Sequence, residues 1–358
     1  MLQKIRVAVV TSDVPFVEGG HLTIARNIVQ ALRDYGCEAD LVLTPQNRFG
    51  NQFRAYLATR FTDVEEDGLG RKIHQVISLR FPSYAVKHSL HVCWLNHRLR
   101  EYYDLWGTLF PQLSWKGKIK EPIRRSFFHL IDSHLLKHNV IKVFAQSKTV
   151  QQRLRKWGNI PSSVLYPPPP QRKYFRESYK NYILTVSRLQ PLKRIHLLIQ
   201  AFIQTRNKDI KAVIIGEGPD ELKLKQLVRN NQLEKRIIFL GRTDENTLIK
   251  HFACCRAVFF APYQEDYGFV TGEAFSCGKP VITTFDSGGP AELVQDSLTG
   301  FITDPDPGKI AEKIDLLAAQ QEKAEKMGQN ALDYISKITW EKTIEKILLI
   351  KGRIKDEN

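Results

Sequence analysis

Two carboxylates flank the predicted start of a helix in the C-terminal half of this chain. An apolar strand from Ala257 runs into a loop that carries Glu265, and a helix predicted to begin near Gly268 carries Glu273. The unpaired N–H groups at a helix N-terminus can hold a phosphate. An anion seat with a carboxylate on each side fits a ligand that has a diphosphate in the middle and hydroxyl groups at both ends. A nucleotide sugar is a ligand of this kind.

Two cations follow a second predicted strand, which ends at Val186. Arg188 offers a planar fork for a bidentate phosphate contact, and Lys193 offers a compact point charge. Two cations at a strand end are what a diphosphate leaving group needs as negative charge develops on it. The alternative, that these are surface cations without a ligand, fits the neighbouring Arg194 better than it fits this pair.

Weaker signals lie at other strand ends. Gly19 and Gly20 precede a predicted helix and let the backbone approach a phosphate, although a plain turn explains them equally well. Gly216 begins a turn that is placed to contact a nucleotide base. His97 follows an apolar strand, where it is either a structural residue or part of the site. The sequence has neither a GxGxxG fingerprint nor a P-loop motif.

The elements that must position these residues alternate along the chain. Short β-branched runs are separated by helix-length amphipathic segments, which predicts an α/β fold with two parallel sheets, each covered by helices on both faces. In such sheets a ligand binds at the carboxyl ends of the strands, where all of these residues lie. The predicted strands cover residues 4–11, 39–43, 73–79, 89–95, 141–145, 163–166, 181–186, 211–216, 236–240, 257–261, 280–284 and 299–302.

A proline run at 167–170 separates the two halves, because four consecutive prolines cannot enter the interior of a helix or a sheet. The predicted domains are therefore residues 1–168 and residues 169–337, each Rossmann-like. A terminal helix within residues 338–358 either caps the second domain or crosses back to the first, and we favour the crossing.

The net charge of +15 is concentrated in the N-terminal half. Residues 1–170 hold 24 Lys and Arg against 13 Asp and Glu, a net charge of +11. The densest run, Trp115 to Arg125, adjoins an amphipathic apolar segment. This pattern fits an anionic membrane surface, an anionic acceptor, or a solvated basic face with no partner. Nucleic acid is not expected, because no zinc-finger, RRM or KH signature accompanies the charge.

Cysteine usage and hydropathy indicate the compartment. Five cysteines without CxxC pairing favour buried thiols in a reducing environment. The N-terminus enters a strand-like run directly, and no segment has about 18 uninterrupted apolar residues, so we expect a cytoplasmic protein without a membrane span. Asp304 and Asp306 form a DxD string of the kind that holds a metal in some sugar transferases, but the intervening proline favours a turn.

Taken together, these residues resemble the retaining glycosyltransferases of family 4, which have the two-domain GT-B fold. The spacing of Glu265 and Glu273 is similar to the E-x7-E signature of that family, and Arg188 with Lys193 is similar to its phosphate-binding pair. The resemblance covers most of the chain and is strongest over residues 181–303. Further positions that fit the family pattern are Gly268, Ala274, Gly278, Pro280, Gly288, Gly289, Glu292 and Gly300.

The resemblance implies that the two Rossmann-like domains face a central cleft and divide the work. The N-terminal domain would bind the acceptor, with His97 approaching the donor sugar and with Gly19 and Gly20 closing on the diphosphate. The C-terminal domain would bind a nucleotide diphosphate sugar. The terminal helix is similar to a family element that crosses back to brace the N-terminal domain.

Within the donor site, the resemblance implies that Glu273 binds the ribose hydroxyls and that Glu265 binds hydroxyls of the transferred sugar. Arg188 and Lys193 would neutralise the diphosphate. The backbone amides expected to assist them belong to Gly268, Phe269 and Val270. Members of the family keep the anomeric configuration by front-face displacement, in which the leaving phosphate oxygen takes the acceptor proton. No side-chain nucleophile, cofactor or metal is then expected.

Donor and acceptor are less defined. Asn96 and the pair Asp266-Tyr267 depart from the commoner family residues, which leaves the donor sugar open. A mannose-type donor is favoured because the segments 93–97 and 102–104 are similar to mannosyltransferase members. The expected acceptor is lipid-linked or a polysaccharide.

Two other functions remain open. A nucleotide-sugar epimerase or a phosphorylase with the GT-B fold would use the same donor residues, although a pyridoxal-dependent phosphorylase needs a longer chain. An inactive donor-binding module would keep the site without turnover. All four charged residues of the predicted donor site are present, which argues against an inactive module. They are Arg188, Lys193, Glu265 and Glu273.

Overall fold

The computed structural model describes residues 4–13, 20–46 and 49–350 of the chain. The chain divides into two compact units. Residues up to 167, together with those from 339 onward, form the N-terminal unit, and residues 168–338 form the C-terminal unit.

The N-terminal unit is built on a six-stranded parallel sheet with the strand order β2-β1-β3-β4-β5-β6. Its strands are β1 (Arg6–Asp13), β2 (Glu38–Pro45), β3 (Gln75–Ser78), β4 (His91–Leu95), β5 (Lys142–Ala145) and β6 (Ser163–Val164). Its helices are α1 (Gly20–Asp34), α2 (Gln52–Arg60), α3 (Trp106–Leu109), α4 (Trp115–His138) and α5 (Lys148–Lys156). All five residues of β4 are buried, as expected for a parallel strand covered on both faces.

The C-terminal unit has a second six-stranded parallel sheet, with the order β12-β11-β10-β7-β8-β9. Its strands are β7 (Tyr182–Val186), β8 (Lys211–Ile215), β9 (Ile237–Gly241), β10 (Ala257–Phe259), β11 (Val281–Thr284) and β12 (Gly300–Thr303). Its helices are α6 (Ile195–Gln204), α7 (Glu221–Asn230), α8 (Glu245–Cys254), α9 (Phe269–Ser276), α10 (Gly289–Leu293), α11 (Pro307–Ala319) and α12 (Gln321–Ile335). The core of this unit lies between the sheet and its helices, and includes Phe202, Phe259 and Ile314, all fully buried.

The predicted α/β class with two Rossmann-like parallel sheets is confirmed. All twelve predicted strands are present, with ends that differ by a few residues. The basic run from Trp115 was predicted to lie beside a helix, whereas the structure makes it the first half of the 24-residue helix α4. Buried residues at helical spacing, among them Glu121, Phe128 and Leu136, hold this helix together despite Pro122 in its interior.

The last described helix, α13 (Trp340–Ile347), packs on the N-terminal unit. The Trp340 ring lies edge-on to Trp94, with the ring centroids 6.3 Å apart. The Gln75 side chain donates to the carbonyl of Ile347 at 2.7 Å and accepts from the amide of Leu349 at 2.9 Å. These contacts tie the end of the described chain to β3 and β4.

Candidate functional site

The candidate site lies where the two central strands of the C-terminal sheet end. β7 and β10 are paired neighbours, with β8 and β9 extending the sheet on one side and β11 and β12 on the other. The chain therefore leaves these two strands in opposite directions. In open α/β sheets, ligands bind beyond the carboxyl ends of the strands at such a topological switch point. The loop after β7 carries Arg188 and Lys193, and the loop after β10 carries Glu265.

The structure joins two of the predicted residues in an ion pair. Lys193 Nζ lies 2.7 Å from Glu265 Oε2, so the pair bridges the two loops. The side chains are 16% and 22% exposed, which leaves each group partly open to solvent. An ammonium has three donors and a carboxylate has about four lone-pair sites. Both groups therefore keep the capacity to bind further polar partners.

Backbone hydrogen bonds hold the Glu265 loop in place. The amide of Glu265 donates to the carbonyl of Ser287 at 2.8 Å, and the amide of Gly289 donates to the carbonyl of Glu265 at 2.9 Å. Gly288 has φ of 74°, and a Cβ there would lie 2.4 Å from the Glu265 carbonyl oxygen. Only a residue without a side chain allows this close approach.

Arg194 is not a surface cation, so that expectation is wrong. Its guanidinium donates to both carboxylate oxygens of Asp286 at 2.7 Å and to the carbonyls of Ala261 and Pro262 at 2.9 Å. Burial acts to raise the pKa of Asp286, but the hydrogen bonds from Arg194 and Thr284 outweigh it and hold that pKa below its usual range. Arg194 therefore locks the ends of β10 and β11 together.

Helix α9 begins where the sequence predicted, with Gly268 as its N-cap in a left-handed conformation. A Cβ at Gly268 would lie 2.7 Å from Cε1 of Phe260, so packing requires the glycine. Phe269 and Val270 are the first two helical residues and are partly exposed. The role of their amides as phosphate donors stays a prediction.

The second carboxylate, Glu273, lies one turn along α9 and is buried. Its Oε1 accepts from Nη1 of Arg172, whose Nε lies 3.1 Å from Oε2 of Glu245. Burial raises the pKa of Glu273 to about 7, and Arg172 offsets only part of that rise. Sequence reasoning missed Arg172. It belongs to a segment without helical or strand periodicity, and the only signal was a cation just after the proline run.

Arg188 is exposed on the loop after β7, five residues before Lys193. That loop is paired with the loop after β8, because the amide of Leu189 donates to the carbonyl of Glu217 at 2.9 Å. A Cβ at Gly216 would lie 1.9 Å from the carbonyl oxygen of Ser187. The glycine at 216 thus makes room for the neighbouring loop. Its contact with a nucleotide base stays a prediction.

The predicted residues of the N-terminal unit are only partly described. Gly19 lies outside the described residues, and Gly20 is the exposed first residue of α1. His97 follows β4 and is partly exposed, with its Nδ1 2.7 Å from the carbonyl oxygen of Arg98. A carbonyl can only accept, so this contact places the proton on Nδ1 and leaves Nε2 as an acceptor in the neutral ring.

Asp306 of the DxD string serves as the N-cap of α11, where its Oδ1 accepts from the amide of Lys309 at 2.9 Å. Over residues 4–13, 20–46 and 49–350, no three His, Cys, Asp or Glu side chains are grouped so that they could hold a metal ion. Across the same residues, none of the helices has the length and apolar character needed to cross a membrane.

Comparison with known proteins relates the C-terminal unit to a known family model. Residues 170–333 match the family model described as glycosyl transferases group 1. The match lies within the C-terminal unit and covers 164 of the 358 residues of the chain. The matched residues include the ion pair of Lys193 with Glu265, as well as Arg188, Arg172 and Glu273. The group 1 match thus spans both strand-end loops and helix α9.

Curated relatives resemble part of the chain. N-acetyl-alpha-D-glucosaminyl L-malate synthase of Bacillus anthracis is 28% identical over 167 residues, which are 46% of this chain and 43% of that protein. Alpha-1,3/1,6-mannosyltransferase ALG2 of Homo sapiens is 30% identical over 151 residues, which are 38% of this chain and 36% of that protein. The chain therefore spans less than half the length of each of these two relatives.

A solved structure extends the likeness to both units. The crystal structure of HepE from Anabaena, in complex with UDP and glucose, has a TM-score of 0.71 and covers 95% of this chain and 99% of that chain at 18% sequence identity. At this identity the likeness establishes the fold alone. The GT-B fold predicted from the sequence is confirmed.

Proposed function

We propose that the chain is a retaining hexosyltransferase that moves a sugar from a nucleotide diphosphate sugar to a lipid-linked or saccharide acceptor. The observation that carries the proposal is the ion pair of Lys193 with Glu265 at the switch point of the C-terminal sheet. It places a cation and a carboxylate side by side where ligands of such sheets bind. The match of residues 170–333 to the glycosyl transferases group 1 model supports it.

In this proposal, Lys193 and Glu265 bind different parts of the donor. Lys193 keeps two further N–H donors for the diphosphate while it holds Glu265, whose remaining lone pairs accept from hydroxyls of the sugar. Arg188 adds a second cation from the same loop. As the bond to the sugar breaks, negative charge grows on the diphosphate, and fixed cations stabilise that charge more than they stabilise the ground state.

The nucleotide end of the donor would be bound by helix α9. Glu273 would accept from the ribose hydroxyls, and its contact with Arg172 orients the carboxylate. The N-terminal amides of α9 at Phe269 and Val270 would donate to phosphate oxygens. The leaving phosphate oxygen would take the acceptor proton, so that the configuration at the anomeric carbon is kept and no metal or covalent intermediate is needed.

The acceptor side of the proposal rests on the N-terminal unit. By the family resemblance, His97, Gly19 and Gly20 are assigned to the acceptor side of the reaction. We place the protein in the cytoplasm, peripheral on the inner face of a membrane. Its five cysteines support a reducing compartment, since all are buried and unpaired.

The donor sugar is the least constrained part of the proposal. The human relative is named a mannosyltransferase, the Bacillus anthracis relative is named for N-acetylglucosamine, and the Anabaena structure holds UDP and glucose. We favour a mannose-type donor on the segments 93–97 and 102–104.

A donor panel tests the proposal. Purified protein is incubated with UDP-, GDP- and ADP-sugars and a cell lipid extract, with and without EDTA, and products are identified by mass spectrometry. The coupling constant of the new anomeric proton in the NMR spectrum reports retention. We expect transfer from one donor class, with the configuration kept and no effect of EDTA.

The same panel separates the alternatives. Nucleotide diphosphate released without a sugar-bearing product would favour epimerase-type chemistry. Donor binding without any release would indicate an inactive module. Inversion at the anomeric carbon would contradict the retaining mechanism.

A further inference from the structure

Helix α4 presents an apolar stripe to solvent along most of its length. Trp115, Ile119, Ile123, Phe127 and Leu130 are 48–71% exposed. At about 100° per residue, these five side chains lie within an arc of about 120° on one side of the helix. Apolar residues at this spacing normally face a core. On α4 they face outward.

Helix α2 adds a second apolar stripe beside the first. Phe53 and Leu57 are exposed on this helix, and Phe61, just after its end, is 81% exposed. The Phe53 ring lies with its centroid 6.3 Å from that of Phe127 on α4. The exposed residues of the two helices therefore form one surface, which we call the α2–α4 face.

Buried contacts fix the two helices side by side beneath this face. The Tyr56 ring of α2 stacks on Phe128 of α4, with the ring centroids 5.5 Å apart. The hydroxyls of Tyr56, Tyr84 and Tyr103 donate to the carboxylate of Asp132, which is buried on α4. The outward apolar surface is thus a rigid feature of the N-terminal unit.

The exposed charge on these two helices has one sign. Their two acidic residues, Glu121 and Asp132, are both buried, and Glu121 accepts from the Tyr102 hydroxyl at 2.5 Å. The exposed basic residues of residues 52–60 and 115–138 are Arg54, Arg60, Lys116, Lys118, Lys120 and Lys137. A broad apolar surface edged by lysine and arginine matches a bilayer interface, where apolar side chains enter the headgroup region and cations meet phosphates.

We propose that the α2–α4 face docks on the anionic surface of a lipid bilayer. Pairing with a second copy of the chain through the same face would bring like charges together, which opposes that occupant. The inference rests on the proposed function only for its consequence, which is to bring the chain to a lipid-linked acceptor. Vesicle binding itself is measured without glycosyl transfer.

The test is flotation of the full chain with vesicles of phosphatidylcholine containing about 30 mol % phosphatidylglycerol, against pure phosphatidylcholine, at about 0.05 M and 0.5 M salt. We expect wild type to float with the anionic vesicles at low salt and to dissociate at high salt. The double substitution Ile119→Ser and Ile123→Ser should lower the vesicle partition coefficient at least about tenfold, because two apolar side chains no longer enter the interface. The double substitution Leu222→Ser and Leu298→Ser changes two leucines that are 78% and 48% exposed in the C-terminal unit; it is the matched control and should bind as wild type does.

A charge series tests the electrostatic half of the inference. The double substitution Lys116→Glu and Lys120→Glu should also weaken binding at least about tenfold at low salt, because positive charges near an anionic surface are attracted to it and the glutamates are repelled. Lys235→Glu with Lys326→Glu changes the net charge equally in the C-terminal unit and should have little effect. Unchanged melting temperatures and nucleotide binding confirm that each variant is folded.

Three outcomes would overturn the inference. Wild type could fail to float with anionic vesicles at low salt. The variants with substitutions on the α2–α4 face could bind anionic vesicles as tightly as the control variants do. Sedimentation velocity could show a dimer that the Ile119 and Ile123 substitutions abolish, which would assign the face to a second copy. None of these results would alter donor binding, so the proposed function is judged separately.

Discussion

Replacing Glu273 by glutamine should stabilise the protein at alkaline pH while it removes a carboxylate of the proposed donor site. Glu273 is buried on α9, and its pKa is raised from the usual 4.5 to about 7. A carboxyl group with a raised pKa binds its proton more tightly in the folded protein than in the unfolded chain. This contribution to stability is complete below pH 4.5 and is lost as the pH rises through about 7.

The magnitude follows from the two pKa values. Each pH unit between them is worth about 1.4 kcal/mol, so at pH 8 the ionised carboxylate costs the folded state about 3 kcal/mol. Glutamine has nearly the same shape without the charge, and Arg172 keeps its contact with Glu245. We expect Glu273→Gln to match wild type near pH 5. At pH 8 it should unfold about 6–10 °C higher.

The assay is a thermal melt of both proteins from pH 5 to pH 8.5, with and without a nucleotide diphosphate. Glu245→Gln is the matched control, because Glu245 contacts the same Arg172 but its side chain is 58% exposed, so loss of its charge should change stability little. The nucleotide should raise the melting temperature of wild type but not of Glu273→Gln. A difference between wild type and Glu273→Gln that does not change with pH would show that the buried charge of Glu273 is not its cause.

Three further substitutions test the supports of the site and of the fold. Gly288→Ala should lower both the melting temperature and donor affinity, because its Cβ would meet the Glu265 carbonyl oxygen at 2.4 Å. Arg194→Lys should lower the free energy of unfolding by about 2 kcal/mol, since lysine cannot reproduce the two-pronged contact with Asp286 and the carbonyl contacts. Asp132→Asn should cost about 1–3 kcal/mol, because the amide group cannot accept from all three tyrosine hydroxyls. Thermal or denaturant unfolding measures each effect.

Each of these substitutions has a matched control. Gly107→Ala adds a methyl group where no atom lies within 4 Å, and should be silent. Arg71→Lys alters an ion pair whose arginine is 48% exposed, and Asp40→Asn alters a carboxylate that is 90% exposed. If a control lost as much stability as its counterpart, the corresponding contact would not be the cause.

The fold was largely predictable because its signals are local. Each β-branched run is short, bounded and apolar, so twelve strands and two parallel sheets could be predicted without knowing any contact. The start of α9 at Gly268 could also be predicted, because a glycine there precedes a segment with helical periodicity. The order of strands was not predicted, and so the switch point between β7 and β10 came from the structure.

The contacts of the site were not predictable, because they join residues far apart in sequence. Lys193 and Glu265 were both singled out, yet their ion pair links positions 72 residues apart. Arg172 and Glu273 are 101 residues apart, and Arg172 had no pattern to mark it. Residue type alone did not distinguish Arg194, whose guanidinium is held by structural contacts, from Lys193, whose ammonium stays partly exposed. Only the packing around each cation does.

The same limit applies to the α2–α4 face. The basic run from Trp115 was visible, but the apolar residues beside it fit a buried helix face equally well. They are exposed because the side of α4 that carries Asp132 packs inward. A sequence pattern does not reveal which side this is.

If the ion pair of Lys193 with Glu265 holds the donor, removal of its cation should affect transfer far more than removal of the cation from a matched ion pair elsewhere. Lys225 and Glu221 on α7 form an ion pair of 2.6 Å, and Lys225 lies 5.7 Å from a phenylalanine ring centroid, much as Lys193 lies 5.6 Å from one. For transfer from the preferred donor, we predict that Lys193→Met lowers kcat/KM roughly 100- to 1,000-fold, while Lys225→Met leaves it unchanged. Equal values for the two variants would mean that this ion pair does not hold the donor.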